Sequence, residues 1–191
     1  MSPPKEHTLQ PLLRKLRYWA SLHEADEQAL LALPHEIREI QPQHYIVRER
    51  DRPTHSCVML SGYSFRHKLV GTGLRQIVSI HMRGDLVDLQ NSLLGVADHS
   101  VQTLVRSQIA MIPRDAVKKL AFERPRVGMA MWFDTLVDAS IFREWIANVG
   151  RRDAHTHPLH PQHTRRTLHD LQQEPRAVDD RPAVLVPPPV R

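Results

Sequence analysis

The chain has 191 residues, a formal net charge of +5 and a hydrophobic content of 41%, which suit one globular domain with appendages. Its single cysteine, Cys57, excludes an intramolecular disulfide and an all-cysteine metal site. No apolar run is long enough to cross a bilayer, and the N-terminus lacks the apolar segment of a signal peptide. The sequence therefore predicts a cytoplasmic protein without a membrane partner. The basic residues are scattered, so the positive charge is weak support for a nucleic-acid partner.

Two helices are predicted at the beginning of the chain. The second runs from about Glu24 to Leu33, with acidic residues in its first turn, where the helix dipole favours them, and with Pro34 ending it. The first is amphipathic, because apolar residues recur there at helical spacing. These residues are Leu9, Leu12, Leu13, Leu16 and Trp19.

From residue 36 to residue 112 the sequence predicts a series of short strands. Runs of strand length are EIREI, HYIVRE, HSCVMLSG, YSFRHKLV and LRQIVSIH. The segment Val70–Gly73 predicts a hairpin turn, because glycine adopts positive φ without steric cost. Alternate residues from Val101 through Val105 to Met111 are predicted to face a core, in one strand or in two strands in tandem. Many short strands with regular turns indicate a small barrel or jelly roll.

A helical pattern returns after residue 112. Pro113 is predicted at a first helical position, and Pro125 opens a longer helix with a broad apolar stripe. A single helix of this kind must be covered in water, by its own domain, by the same helix of a second chain, or by both. Its length favours the second, so we predict a homodimer. The residues predicted to pair are Met129, Trp132, Leu136, Ala139 and Phe142.

Three segments of the sequence resemble a known family. GDLVDLQNSLLGVADHS, residues 84–100, resembles the phosphate-binding cassette of cyclic-nucleotide-binding domains, and SGYSFRHKLVGTGLRQIVSIHMRGD resembles the hairpin that precedes it. WFDTLVDASIFREWIANVGRRDA resembles the dimerisation helix and hinge of Crp/Fnr-type bacterial transcription regulators. The resemblance covers about residues 10–153. It implies a β-roll sensor, a helix that pairs in a homodimer, a C-terminal helix-turn-helix that reads the major groove, and ligand-controlled transcription.

The cassette departs from the pattern of the nucleotide-binding members. The resemblance implies ligand-binding positions at Gly84, Asp85, Asp88, Leu89, His99 and Ser100, of which the first two and the last match the family. Asp88 replaces a glycine beside the cyclic phosphate, Leu89 a glutamate that takes the ribose hydroxyl, and His99 an arginine that neutralises the phosphate. A carboxylate repels phosphate, leucine accepts no hydrogen bond, and histidine cannot form the two-pronged contact of arginine. We therefore predict that cyclic AMP is not bound: either another ligand fits or, as we favour, the loop is structural.

The sequence after the hinge does not match the DNA-binding domain that the resemblance implies. Residues 153–191 are rich in proline, histidine and arginine and show no pair of short helices around a turn. We interpret them as a disordered tail and hypothesise out-of-frame translation of a frameshifted or truncated gene. DNA would then be a partner only if a helix-turn-helix is restored or supplied by another chain. His155, His157, His160 and His163 are interpreted as tail composition rather than as a zinc or nickel site.

The sequence carries no recognisable catalytic motif. It has no Gly-x-Ser-x-Gly elbow, P-loop or His-Glu-x-x-His, so we predict that the protein is not an enzyme. Cys57 lies in the apolar run HSCVML and is predicted to be a small buried residue rather than a redox sensor. Haem ligation by His67, His81 or Cys57 has family precedent, but only their residue types suggest it. We predict no cofactor and no metal site.

The predicted fold class is α+β, a jelly-roll β-barrel flanked by N-terminal helices and a long C-terminal dimerisation helix. Residues 8–122 form the predicted sensor domain, residues 123–152 the dimerisation helix and hinge, and residues 153–191 the tail. Three functions stay open: a Crp/Fnr-type transcription regulator, a sensor and dimerisation module that acts through proteins, and a small-molecule-binding domain. The first follows from the resemblance, and the second from the residues themselves.

Overall fold

The structure is a computed structural model that describes residues 7–71 and 73–149; the predicted hinge, tail and histidine run lie outside this range. The helices are α1 Gln10–Trp19, α2 Glu24–Leu31, α3 Asn91–Leu94, α4 Arg114–Glu123 and α5 Pro125–Val149. The strands are β1 Glu36–Ile40, β2 Tyr45–Val47, β3 His55–Ser61, β4 Ser64–Leu69, β5 Arg75–His81, β6 Ser100–Thr103 and β7 Ser107–Pro113. Helices α1, α2, α4 and α5 thus flank the strands in the predicted order, and α3, which was not predicted, lies between β5 and β6.

The strands form two antiparallel sheets, with strand orders β1-β7-β3 and β2-β6-β4-β5. Strand β7 pairs with β1 from Ile40↔Ser107 to Glu36↔Met111, and with β3 on its other edge. Strands β4 and β5 form the predicted hairpin, in which the N–H of Val70 donates to the carbonyl oxygen of Leu74 at 2.9 Å. This arrangement confirms the predicted jelly roll with a long C-terminal helix.

The hydrophobic core has two parts, and strand β3 contributes to both because side chains alternate across a strand. Its Cys57 and Met59 point between the two sheets, where they pack in a buried cluster with Val101 and Ile109. Val58, between them, points to the other face and packs against the helices. The helical side of that cluster contains Leu9, Leu12, Leu13, Leu16, Leu30, Val117, Leu120, Val127, Ala130 and Met131. The helices are therefore packed on the outside of the β1-β7-β3 sheet.

The N-terminal helices form where the apolar spacing predicts them, with one correction. Helix α1 buries Leu12, Leu13 and Leu16 on its inner face. Helix α2 begins with a side-chain cap, since the N–H of His23 donates to Asp26 Oδ2 at 3.3 Å. The predicted helix to Leu33 is wrong in its last turn, because α2 ends at Leu31. The residue before a proline is disfavoured in the helical conformation, so the chain leaves the helix ahead of residue 34.

The strand predicted between residues 101 and 111 is two strands, β6 and β7, separated at residues 104–106. The predicted inward position of Val105 is wrong: it lies in this connection and is exposed. Pro113 ends β7 and lies at the N-cap of α4 rather than at its first helical position. Pro125 opens α5 as predicted. Over residues 7–71 and 73–149, no helix combines the length and apolar character needed to span a membrane.

Candidate ligand-binding site

A cavity of about 710 Å³ lies between the β4–β5 hairpin, the cassette and α5. Strand β4 contributes Arg66 and Lys68, and the cassette contributes Leu89 and His99. The remaining lining residues are Gln76, Ile77, Val78, Leu86, Gln90, Asp98, Asp134, Thr135, Asp138, Ala139, Phe142, Trp145 and Ile146. Its size is that of a small-molecule site.

The first turn of the cassette is fixed against α1. Gly84 has φ +92°, and a Cβ there would lie 2.8 Å from the carbonyl oxygen of Pro11. The carboxylate of Asp85 is buried, accepts from the N–H of Met82 at 2.9 Å, and lies 3.1 Å from Lys15 Nζ. Neither Gly84 nor Asp85 lines the cavity. These two residues therefore shape the loop from behind.

Lys15 joins the cassette to α5. Its Nζ lies 2.7 Å from Asp134 Oδ1 as well as 3.1 Å from Asp85 Oδ1, and all three side chains are largely buried. Burial acts to lower the pKa of Lys15, but Asp85, Asp134 and Asp138 outweigh it and raise the pKa. Lys15 therefore stays charged and connects α1, the cassette and α5 electrostatically.

Asp88 points away from the cavity. Its Oδ1 accepts from the N–H of Cys57 at 3.0 Å, and its Oδ2 has no hydrogen-bond partner within the described ranges. Burial raises the pKa of Asp88 to about 6. Asp88 and Cys57 line a second cavity of about 450 Å³ together with residues of β1, β2 and the 51–55 segment. The carboxylate predicted to repel a phosphate is thus turned into the β-roll, where it holds strand β3.

Leu89 and His99 are the two cassette positions that line the main cavity. The ring of His99 is buried, and its Nδ1 lies 2.6 Å from Asp98 Oδ1. Burial, together with the charge of Arg66, lowers the pKa of His99. Ser100 Oγ accepts from the N–H of Glu49 at 3.0 Å and lies outside the lining. The structure therefore brings together two of the six predicted ligand positions.

Sequence reasoning did not identify Arg66 as a site residue. Its guanidinium is buried, donates from Nη2 to the carbonyl oxygen of Val87, and lies 5.4 Å from the ring centre of Phe142. Burial is the largest influence on the pKa of Arg66 and lowers it, against the opposing effect of carboxylates led by Asp138. The sequence feature that could have identified Arg66 is its charge in the middle of the strand-length run YSFRHKLV.

Asp138 of α5 is a second site residue that sequence reasoning missed. Burial raises the pKa of its carboxyl to about 6. It follows Asp134 by one helical turn, and both line the cavity. Two acidic residues four positions apart on a helix are predicted to share one face. The spacing does not say whether that face lines a cavity or is exposed to water.

Helix α5 has two apolar faces. Ala139 and Phe142, which we predicted to pair with a second chain, are half-buried and line the cavity. Met129, Trp132, Phe133 and Leu136 form a row of exposed residues at helical spacing, which we term the α5 row. Trp132 and Leu136 are 60% and 49% exposed. Dimerisation through α5 stays a prediction. Of the residues predicted to pair, Met129, Trp132 and Leu136 are exposed and do not line the cavity, so they remain its candidates.

Comparison with known proteins agrees with this geometry. Residues 37–124 match the family model of the cyclic nucleotide-binding domain. No curated protein matches the sequence. The chain therefore contains a cyclic nucleotide-binding domain, and its structural neighbours include regulators of the Crp/Fnr family.

Three of these neighbours are proteins of known structure from different bacteria. FixK2 from Bradyrhizobium japonicum is 19% identical, with a TM-score of 0.59 over 64% of this chain and 61% of that protein. The c-di-GMP-responsive global regulator CLP from Xanthomonas campestris is 16% identical, with a TM-score of 0.59 over 80% and 74%. The catabolite activator protein from Thermus thermophilus is 15% identical, with a TM-score of 0.55 over 70% and 63%. The match thus spans less than two thirds of FixK2 and of the activator protein.

Proposed function

We propose that the protein is an effector-sensing homodimeric regulator of the Crp/Fnr type. The cavity binds a small molecule, and the α5 row pairs two chains. The single observation that carries this proposal is that α5 has both roles available at once: it lines the cavity through Asp138 and Phe142 and exposes Trp132 and Leu136 on another face. Because one rigid helix borders both surfaces, occupancy of the cavity can alter how two chains pair.

We further propose that cyclic AMP is not the effector, and that the protein is a binding protein rather than an enzyme. The cavity has Leu89 and neutral His99 in place of the glutamate and arginine of the nucleotide-binding pattern. Arg66 is its buried cation, but Asp138 lies on the same lining, where its carboxylate would repel a phosphate. Removing the bidentate arginine from a buried anion costs several kcal/mol, on the order of 3–5.

The oligomeric state tests this proposal. We expect the parent chain to sediment as a dimer and Leu136→Glu to sediment as a monomer at micromolar concentration, because two buried glutamates would face each other across the pair. Ile37→Glu is the matched control, since Ile37 is an exposed apolar residue of β1, 56% exposed against 49% for Leu136. It should stay dimeric. A parent monomer, or an unchanged Leu136→Glu dimer with native circular dichroism, would refute pairing through α5.

DNA binding separates a transcription regulator from a module that acts only on proteins. The family's DNA-binding domain follows the long helix, and that part of this chain lies outside the described residues. The second candidate is a module that pairs with a longer relative through the same exposed α5 row. Fluorescence anisotropy with a pool of labelled DNA duplexes at two salt concentrations distinguishes the two candidates. A DNA affinity that falls steeply as the salt concentration rises supports the transcription regulator. Absence of binding, with heterodimers formed by a full-length relative, supports the module.

A further inference from the structure

Three carboxylates line the main cavity, and two of them have a partner. Asp134 Oδ1 lies 2.7 Å from Lys15 Nζ, and Asp98 Oδ1 lies 2.6 Å from His99 Nδ1. The third carboxylate, that of Asp138, forms no hydrogen bond or ion pair with any other described residue. The cavity therefore has one carboxylate that the described part of the chain leaves without a partner.

The carboxylate of Asp138 is accessible from the cavity. Its side chain is half-buried and belongs to the lining, and neither of its oxygens is among the enclosed polar atoms that lack a partner in the described ranges. Burial raises the pKa of Asp138 to about 6, although the charges of Lys15 and Arg66 act to lower it. The carboxyl group is thus mostly ionised at pH 7 and can receive a cation.

The cations around the cavity compensate this charge only partly. Lys15 is shared by two other carboxylates, and Lys68 Nζ lies 2.6 Å from Glu49 Oε1. Arg66 influences the pKa of Asp138 but forms no ion pair with it. Charges are weakly screened in a partly buried space, so the carboxylate without a partner favours a positively charged ligand.

Asp138 shares a face of α5 with two aromatic side chains. Phe142 and Trp145 follow it by four and seven positions, and all three residues line the cavity. At a rise of about 1.5 Å per residue, Trp145 is about 10 Å further along the helix axis than Asp138. Aromatic walls supply affinity for an organic ligand and attract a cation, while a polar group sets the orientation of the ligand.

We infer that the cavity binds an organic cation, namely a protonated amine with an apolar or aromatic body. The ammonium group donates to the carboxylate of Asp138, and the body lies along Phe142 and Trp145. Such a ligand is opposite in charge to a cyclic nucleotide. This inference rests on the proposed function only in taking the cavity as the effector site.

A matched series of naphthalene derivatives tests the charge of the head group, because the apolar body stays constant. The probes are 2-naphthylmethylamine, which is protonated at pH 7 as lysine is, its neutral analogue 2-naphthylmethanol, and the anion 2-naphthoate. Their dissociation constants are measured by equilibrium dialysis at pH 7, with cyclic AMP as a fourth probe. We expect the amine to bind about tenfold more tightly than the alcohol, the effect of a hydrogen bond to a charged group, and the two anions to bind more weakly still.

Neutral variants of Asp138 locate the effect. Asp138→Asn keeps the size of the side chain and removes its charge, so the preference for the amine over the alcohol should fall to near unity while the alcohol binds as before. Asp115→Asn is the matched control, because the same substitution is made at a side chain that is 91% exposed and does not line the cavity, and its preference should stay. Should Asp138→Asn fail to fold, judged by circular dichroism, Asp138→Ser carries the same expectation.

Three results would overturn the inference. They are equal or tighter binding of the alcohol or an anion, an unchanged preference for the amine in a folded neutral variant of Asp138, and no binding of the amine to the folded parent protein. Failure of the proposed dimer is read separately from sedimentation of Leu136→Glu, which uses no ligand.

Discussion

At the scale of single residues, the cassette shows how substitutions can redirect a loop without dismantling it. Asp88 is turned into the β-roll, where it accepts from the N–H of Cys57. His99 keeps its place on the cavity but is neutral, with Nδ1 held by Asp98. The position that the nucleotide-binding pattern fills with arginine is thus occupied here by a buried histidine whose pKa is lowered.

Asp88 makes a testable contribution to the pH dependence of stability. Burial raises its pKa to about 6, above an ordinary value of about 3.9. Between these values the folded state binds the proton more tightly than the unfolded state, so the free energy of unfolding falls as pH rises. We expect Asp88→Asn to exceed the parent by about 2–3 kcal/mol above pH 7, and by little below pH 4, in urea unfolding.

The control for this experiment is Asp115→Asn, which neutralises a side chain that is 91% exposed. Its difference from the parent should stay within about 0.5 kcal/mol over the same pH range. A difference for Asp88→Asn that does not change between pH 4 and pH 8 would show that the carboxyl titrates normally.

At the scale of elements, the cassette depends on close contact with α1. Gly84 has φ +92°, and a Cβ there would meet the carbonyl oxygen of Pro11 at 2.8 Å, so backbone would have to move. Gly73 in the hairpin turn has φ +77° with open space around its Cβ position. The two glycines share their backbone conformation and differ in packing.

We therefore expect Gly84→Ala to destabilise the protein more than Gly73→Ala. The hairpin variant should cost about 1–2 kcal/mol, the penalty of a left-handed residue with a side chain. The cassette variant should cost about 1–3 kcal/mol more, because the added methyl group overpacks the contact with α1. Thermal and urea unfolding measure both. Equal losses of stability in the two variants would mean that α1 moves aside without an energetic cost, and that its contact with Gly84 does not fix the cassette.

At the scale of the whole molecule, one buried lysine connects the helices with the ligand-binding loop. Lys15 of α1 contacts Asp85 of the cassette and Asp134 of α5. Asp134 also lines the cavity. The same side chain thus holds the helix that carries the α5 row and the loop that forms one wall of the site. Such a network can pass a shift of the loop to α5, since both partners share one cation.

Removal of this cation tests its part in stability. Lys15→Met leaves two largely buried carboxylates without it, so we expect a loss of about 2–4 kcal/mol in the free energy of unfolding at pH 7. Lys119→Met is the matched control, because Lys119 pairs with Glu123 at 3.8 Å on the exposed face of α4, and it should change stability by less than about 0.5 kcal/mol. Equal small losses in both variants would show that Asp85 and Asp134 are adequately solvated without Lys15.

The sequence by itself determined the class of fold, the order of elements and the place of the cassette. Apolar spacing in α1 and α5, alternation in β3 and the turn at Gly73 are local signals, because each depends on residues a few positions apart. It also predicted, through the family resemblance, that the cassette lacks the charged groups for a cyclic phosphate. The errors at Leu33 and Pro113 fall at element ends, and the error at Val105 falls in the short connection between β6 and β7; local preference is weak there and packing sets the boundaries.

Only the tertiary structure decided which side chains meet. Lys15 and Asp134 bond across 119 positions, and no local pattern encodes such a contact. Residues 64–67 of β4 are all buried, so alternation could not say that Arg66 borders a cavity. In the same way, the helical spacing of α5 could not show which of its apolar residues line the cavity and which form the exposed α5 row. A periodic pattern gives the faces of an element, whereas the neighbours of each face depend on packing over the whole chain.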